Sequence, residues 1–257
     1  MAVEESTTAQ VSPEFPNLIG LLAEQLKGAP AGHLLHVWES LIYSVFVVIL
    51  LATVAFFATR KRMIIPGRLQ NFAEFFVVSV DEFVCSILGS QGRKYTPFIG
   101  TLFIYILVMN LLGLIPFLKS PTSEWSNTLG LGLIVFAYVQ YIAFKELGIV
   151  GYADHMMGKP RGIMAWTIIM PLFMFALHLI GEVVRPFSLS LRLRSNILAE
   201  EKLLAVFTGL GGYVGGTLGG CFMYLFDLIG ATVQALVFSV LTLVYFALIL
   251  THEEEHH

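Results

Sequence analysis

Between Ile163 and Leu250 the chain is almost wholly apolar or small, yet Glu182, Arg185, Arg192, Arg194, Glu201 and Lys202 stand in the middle of that stretch. Those two facts together leave few folds open. An arginine at mid-bilayer costs about 2.5–3.5 kcal/mol even on the most lenient insertion scales, so a charge held there is a functional hypothesis by default. Phe187, Leu189, Leu191 and Leu193 alternate with Ser188, Ser190, Arg192 and Arg194 in imitation of a strand. A lone strand cannot satisfy its backbone in lipid, so the segment is expected to be helical. A helix from Ile163 to about Leu210 would be about 70 Å long, against a hydrocarbon core of about 30 Å. It must tilt strongly or lie nearly in the membrane plane. Glycines at 209, 211, 212, 215, 216, 219 and 220 then interrupt the pattern before a second apolar run, Phe222 to Leu250. Their spacing suits either a turn with a close helix start or a small-residue dimerisation face. With the turn, residues 163–250 form one long membrane helical hairpin.

The rest of the chain is consistent with an all-α polytopic membrane protein. Hydrophobic residues make up 56% and charged residues 13% of 257 residues, with a mean hydropathy of +0.79, beyond the range of a soluble domain. A net charge of −3 with scattered basic residues gives no footprint for nucleic acid. Cys85 and Cys221 are far apart in apolar sequence and suggest packing residues, neither a disulfide framework nor a metal knuckle. No cleavable leader is expected in the first 35 residues, which lack a basic region leading directly into an apolar core.

Three further spans are expected at His36–Phe57, Pro97–Phe117 and Thr128–Phe144. Between the first two, residues 67–88 mix Arg68, Glu74, Asp81 and Glu82 with Phe72, Phe75, Phe76, Val80, Phe83 and Ile87. That is the pattern of an amphipathic helix on the membrane or beside the spans. With the N-terminus outside, Arg60, Lys61, Arg62, Arg68, Arg93, Lys94, Lys145, Lys159 and Arg161 fall inside, against Lys27 and Lys119 outside. Cytoplasmic loops collect positive charge, so this orientation is expected. The chain then divides into an extracytoplasmic segment 1–35, membrane helices 36–147, a cytoplasmic loop 148–162, the hairpin 163–250 and a cytoplasmic tail 251–257.

At about 100° per residue, His178, Arg185, Arg192 and Asn196 lie within roughly 40° of one direction on the long helix. A stripe of arginines snorkelling to water would explain them structurally, but leucines flank the stripe on both sides. Glu182 and Arg185, three residues apart, are expected to pair. Arg194 lies about 200° from Arg192, with Glu201 on its own face and Asp227 across the hairpin as expected partners. Arg192 has no such partner on its own helix. Asp227 and Gln234 share a face of the last helix, which brings Glu201 near the level of Asp227 and Arg192 towards Gln234.

The run Arg185-Pro186-Phe187-Ser188-Leu189-Ser190-Leu191-Arg192-Leu193, followed by Asn196, resembles the signature of subunit a of F-type ATP synthases. Further matches in family order are Asn110-Leu111-Leu112-Gly113-Leu114-Ile115-Pro116, Asn127-Thr128-Leu129-Gly130-Leu131, and Gln234-Ala235-Leu236-Val237-Phe238 with Leu241-Thr242-Leu243-Val244-Tyr245. The resemblance implies a non-catalytic stator subunit in a bacterial inner membrane, without a cofactor. Its implied partners are a ring of c subunits, the b-subunit peripheral stalk, the remaining synthase subunits and membrane lipid. It further implies two offset half-channels for protons or sodium ions and an essential arginine at Arg192, facing the ring carboxylates. Asn196 and Gln234 would position Arg192 or channel water, Glu201 and Asp227 would serve the outer half-channel, and His178 the inner one. Arg194 and Ser195 depart from the family's usual aromatic and glycine, and His178 stands where many members carry a carboxylate.

Two rival readings remain. Residues His252 to His256 fit the H-E-x-x-H zinc pattern, but a catalytic zinc needs three positioned ligands and a solvated acidic tail explains the same residues. A stand-alone ion channel or carrier would also want buried charge, and it predicts ion flux from this chain by itself.

Overall fold

In the computed structural model, residues 30–60, 67–115, 118, 120–157, 166–209 and 212–250 are described. Every regular element among them is helical: α1 (Pro30–Thr59), α2 (Arg68–Leu88), α3 (Thr96–Leu112), α4 (Trp125–Met157), α5 (Trp166–Gly209) and α6 (Gly212–Leu250), with short 3₁₀ helices at Gly89–Lys94 and Pro121–Ser123. Four segments are long and apolar enough to cross a membrane: Trp38–Thr59, Trp125–Glu146, Leu172–Leu204 and Gly219–Leu248. The chain is therefore an all-α, multi-pass membrane protein, and the strand-like alternation at 187–194 is helical. Hydrogen bonding inside the helix satisfies the backbone at each position there.

The third expected span corresponds to the membrane-capable segment Trp125–Glu146; beyond it the chain kinks at Gly148, whose φ of +67° suits a residue without a Cβ, and is helical again to Met157. The break between α5 and α6 falls inside the glycine run, after Gly209 and before Gly212. Gly212, Gly215, Gly216, Gly219 and Gly220 lie within α6. A Cβ on Gly219 would come within 3.4 Å of the Phe207 carbonyl oxygen on α5. Gly219 thus lies in contact with the last turn of α5.

α5 and α6 run antiparallel, as shown by Phe207 against Gly219 at one end and Asn196 bonded to Gln234 further along. α4 packs along α5, and α3 along α6. The α4–α5 contact is set by Gly132, where an added Cβ would lie 2.8 Å from the Pro186 carbonyl oxygen. Beside it, Ser190 donates to the Thr128 carbonyl (2.9 Å) and to that of Pro186 (2.7 Å). Leu189, Leu193 and Ile197, at i, i+4 and i+8, are buried as a consequence. Leu191, Arg192, Ser195 and Asn196 are left on the exposed side of the same helix.

Polar clusters hold the two ends of the bundle. At one end Lys94 pairs with Glu146 (2.7 Å). Arg93 pairs with Asp81 (3.0 Å), and Asp81 also accepts from Thr96 (2.7 Å). The aromatic stack of Tyr95, Phe98, Tyr138 and Phe246 lies at this end. At the other, Asn127 donates to Ser40 Oγ (2.7 Å) and to the Pro121 carbonyl (3.1 Å). Asn110 accepts from Thr122 (2.8 Å) and donates to the Ala231 carbonyl (3.3 Å). The two asparagines of the recognisable motifs therefore fasten the Pro121–Ser123 turn to α1, α3 and α6.

Candidate functional site

The polar residues between α5 and α6 follow the period of the helices. Arg192, Asn196 and Glu200 succeed one another at i, i+4 and i+8, so they form one line along α5. Gln234, Gly230 and Asp227 run the opposite way along α6. Asn196 Nδ2 donates to Gln234 Oε1 at 2.7 Å, and the Glu200 carboxylate rests against Gly230, in the space a Cβ would fill. Asp227 and Gln234 are 6% and 4% exposed. Asp227 Oδ1 and Gln234 Nε2 have no hydrogen-bond partner within the described residues. Buried polar atoms are ordinarily bonded, and each exception needs a reason.

Arg192 lies on the exposed side of α5, one helical turn from the Asn196–Gln234 bond. No carboxylate among the described residues pairs with it. Its guanidinium stays charged at any physiological pH and carries five donors. It is therefore suited to meet an anion brought by another molecule.

Arg185 behaves differently. It is paired with Glu182, as the three-residue spacing predicts, and lies over the Tyr245 ring at 5.1 Å. Glu182 also accepts from Gln140 (2.8 Å), which in turn accepts from Tyr152 (2.7 Å). This chain of groups links α4, α5 and α6 and edges a cleft lined by Gly132, Phe136, Val139, Pro186 and Leu189. His178, half-buried, lies one turn before Glu182 on α5. Its Nδ1 is 3.0 Å from the Met174 carbonyl oxygen, which can only accept, so Nδ1 carries the proton.

Arg194 corrects the sequence expectation. It points away from the exposed side of α5, but its partners are neither Glu201 nor Asp227. Nε donates to the Ser123 carbonyl at 3.1 Å, and the guanidinium lies over Trp125 at 5.5 Å. Glu200, which the sequence reading passed over, is the residue of α5 whose carboxylate lies against Gly230 of α6. Glu201 sits about 100° further round the helix. The i, i+4 continuation from Asn196 is the signal that could have singled out Glu200. The possible zinc pattern, at 252–256, lies outside the described residues.

Comparison with known proteins places the chain in a family. The family described as ATP synthase A chain matches residues 41–247. The chain is 37% identical over 251 residues to the ATP synthase subunit a of Protochlamydia amoebophila, covering 95% of this chain and 92% of that one. It is 36% identical over 207 residues to the subunit a of Solidesulfovibrio magneticus, covering 80% and 82%. Over 206 residues it is 40% identical to that of Desulfotalea psychrophila, covering 80% and 81%.

Proposed function

Because the chain belongs to the ATP synthase A chain family, we propose that it is the membrane stator of a rotary ATP synthase, passing protons or sodium ions against a turning ring of c subunits. The observation that carries this reading is Arg192: a permanent cation on the exposed side of a membrane helix, with no carboxylate paired to it among the described residues. A ring carboxylate arriving from the lipid would be held ionised beside that charge. Arginine cannot relay the ion by losing a proton, so it also bars a direct leak between the two sides. Lysine would serve less well, since its proton is readily lost on burial.

Two offset half-channels follow from the polar groups on either side of Arg192. Asp227 and Glu201 serve the outer one. His178 serves the inner one, about 21 Å from Arg192 along the helix. Asn196 and Gln234 orient the guanidinium between them. The protein catalyses no bond-making of its own; nucleotide chemistry belongs to other subunits, reached through the b-subunit stalk. Its place is the bacterial inner membrane, N-terminus outside, with the hairpin strongly tilted.

Arg192→Ala in the assembled complex tests this reading. ATP synthesis driven by an ion gradient should be abolished while the subunit remains in the membrane sector. Coupled synthesis near the unsubstituted rate would overturn it. Ion flux through the purified chain alone in liposomes would favour a stand-alone channel.

A further inference from the structure

We propose that Glu200 is the proton acceptor and donor that links Asp227 to the Arg192 end of the path, a role that rests on the stator reading above and assigns a residue to it. Three observations converge. Glu200 continues the line Arg192, Asn196 along α5. Opposite it, α6 has Gly230, and the carboxylate occupies the place of the missing side chain: an added Cβ would stand 3.2 Å from Glu200 Cδ and closer still to Oε1. One turn further along α6 is Asp227, 94% buried by its 6% exposure. Its Oδ1 has no hydrogen-bond partner among the described residues, and Asp227 shares with Gly230 the face of α6 on which the Glu200 carboxylate rests.

Two carboxylates so placed, in a site of low dielectric, cannot both be ionised without strong mutual repulsion, so the arrangement favours a single shared proton. The step is a proton relay. A hydronium ion in the outer channel gives its proton to Asp227 Oδ1, forming O–H and leaving water. That O–H then breaks as a Glu200 oxygen, one turn nearer Arg192, takes the proton, and Asp227 returns to the carboxylate. One proton has moved inward and no other bond has changed. Gly230 has a part in this, since any larger residue would push the Glu200 carboxylate out of line with Asp227.

The test uses the complete synthase in inverted membrane vesicles, with ATP-driven proton uptake as the readout and subunit content measured alongside. Glu200→Gln should lower uptake roughly tenfold or more, as expected for loss of a positioned acid–base group, and Glu200→Asp should retain most of it. Gly230→Ala should lower uptake in the otherwise unsubstituted protein and have no further effect when combined with Glu200→Gln. Near-normal pumping by Glu200→Gln would overturn the proposal. Independent, multiplying losses from the Glu200 and Gly230 changes would do the same, as would loss of the assembled complex in both Glu200 variants. Full coupling in Arg192→Ala would instead overturn the stator reading, so the two failures are distinguishable.

Discussion

Arg194 Nε donates to the Ser123 carbonyl 71 residues earlier in the chain, at 3.1 Å, and so ties the helix that carries Arg192 to the turn before α4. The turn is itself fixed by Asn110 and Asn127. Arg194 is thus an anchor whose counter-group is a backbone dipole and the Trp125 ring. Its loss should cost about 1–3 kcal/mol, the usual value for a hydrogen bond to a charged group with some cation–π contact. Arg194→Ala should lower the thermal stability of the purified complex accordingly. Combined with Glu201→Gln it should give additive effects, since no ion pair joins the two residues. A coupling above roughly 0.5 kcal/mol would reinstate that pair.

Gly132→Ala should be far more damaging than Gly130→Ala. At 132 the new methyl group would meet backbone of α5, which cannot swing aside, whereas nothing lies within 4 Å at 130. Overpacking of this kind costs about 1–3 kcal/mol. The amount of each variant retained in the membrane, by immunoblot against the complex, checks the difference. Equal retention would mean that α4 and α5 are not so closely apposed.

Arg185→Ala should keep a substantial part of coupled synthesis, unlike Arg192→Ala. Glu182 still accepts from Gln140 when Arg185 is gone. Glu182→Ala should be the harsher of the two changes at this pair, because it strands a half-buried guanidinium. Synthesis rates in the two variants, normalised to assembled complex, give the order.

The Lys94–Glu146 pair should make its end of the bundle sensitive to alkali. The hydrogen bond from Lys94 to Glu146 raises the lysine above its ordinary value, about 10.4. The stabilisation is therefore complete below that pH and is lost as pH rises through the higher, folded value. With the ammonium half exposed, the contribution is at most about 1 kcal/mol. Lys94→Met should be less stable than the parent near neutrality, with the gap closing above about pH 10.5. Asp81 behaves in the opposite sense. Thr96, and then Arg93, hold its carboxyl below the usual value, so its contribution is present above about pH 3.9 and fades as pH falls further. A constant gap between Lys94→Met and parent from about pH 8 to 11 would show that the lysine is not held by Glu146.

Single cysteines test the orientation. Charge bias puts residues 93 and 159 inside and 119 outside. Arg93→Cys and Lys159→Cys should react with an impermeant thiol reagent only from the cytoplasmic side, and Lys119→Cys only from the other. Labelling of Lys159→Cys from outside alone would invert the protein.

Helical periodicity made much of the site readable in advance. The spacing of Glu182 and Arg185 gave their pairing, and the shared face of Arg192 and Asn196 carried over to the bond with Gln234. What periodicity could not give was register between helices. Glu200 and Glu201 are adjacent and chemically alike, and which one faces Gly230 depends on how many residues the turn consumes. That number was obscured by a glycine run that continues the helix. The partner of Arg194 was hidden for another reason: a backbone carbonyl has no side-chain signature in sequence.

The Gly132 contact has a mechanical consequence under the stator reading. Each ring carboxylate that draws past Arg192 pulls sideways on α5, and the reaction force must be borne somewhere stiff. Backbone seated on backbone, with Ser190 pinned to both helices, yields much less than a layer of rotatable side chains would. On that reading the α4–α5 seam would serve as a thrust bearing: it would keep the azimuth of Arg192 constant under load, and its compliance would limit how much torque escapes as twist of the stator.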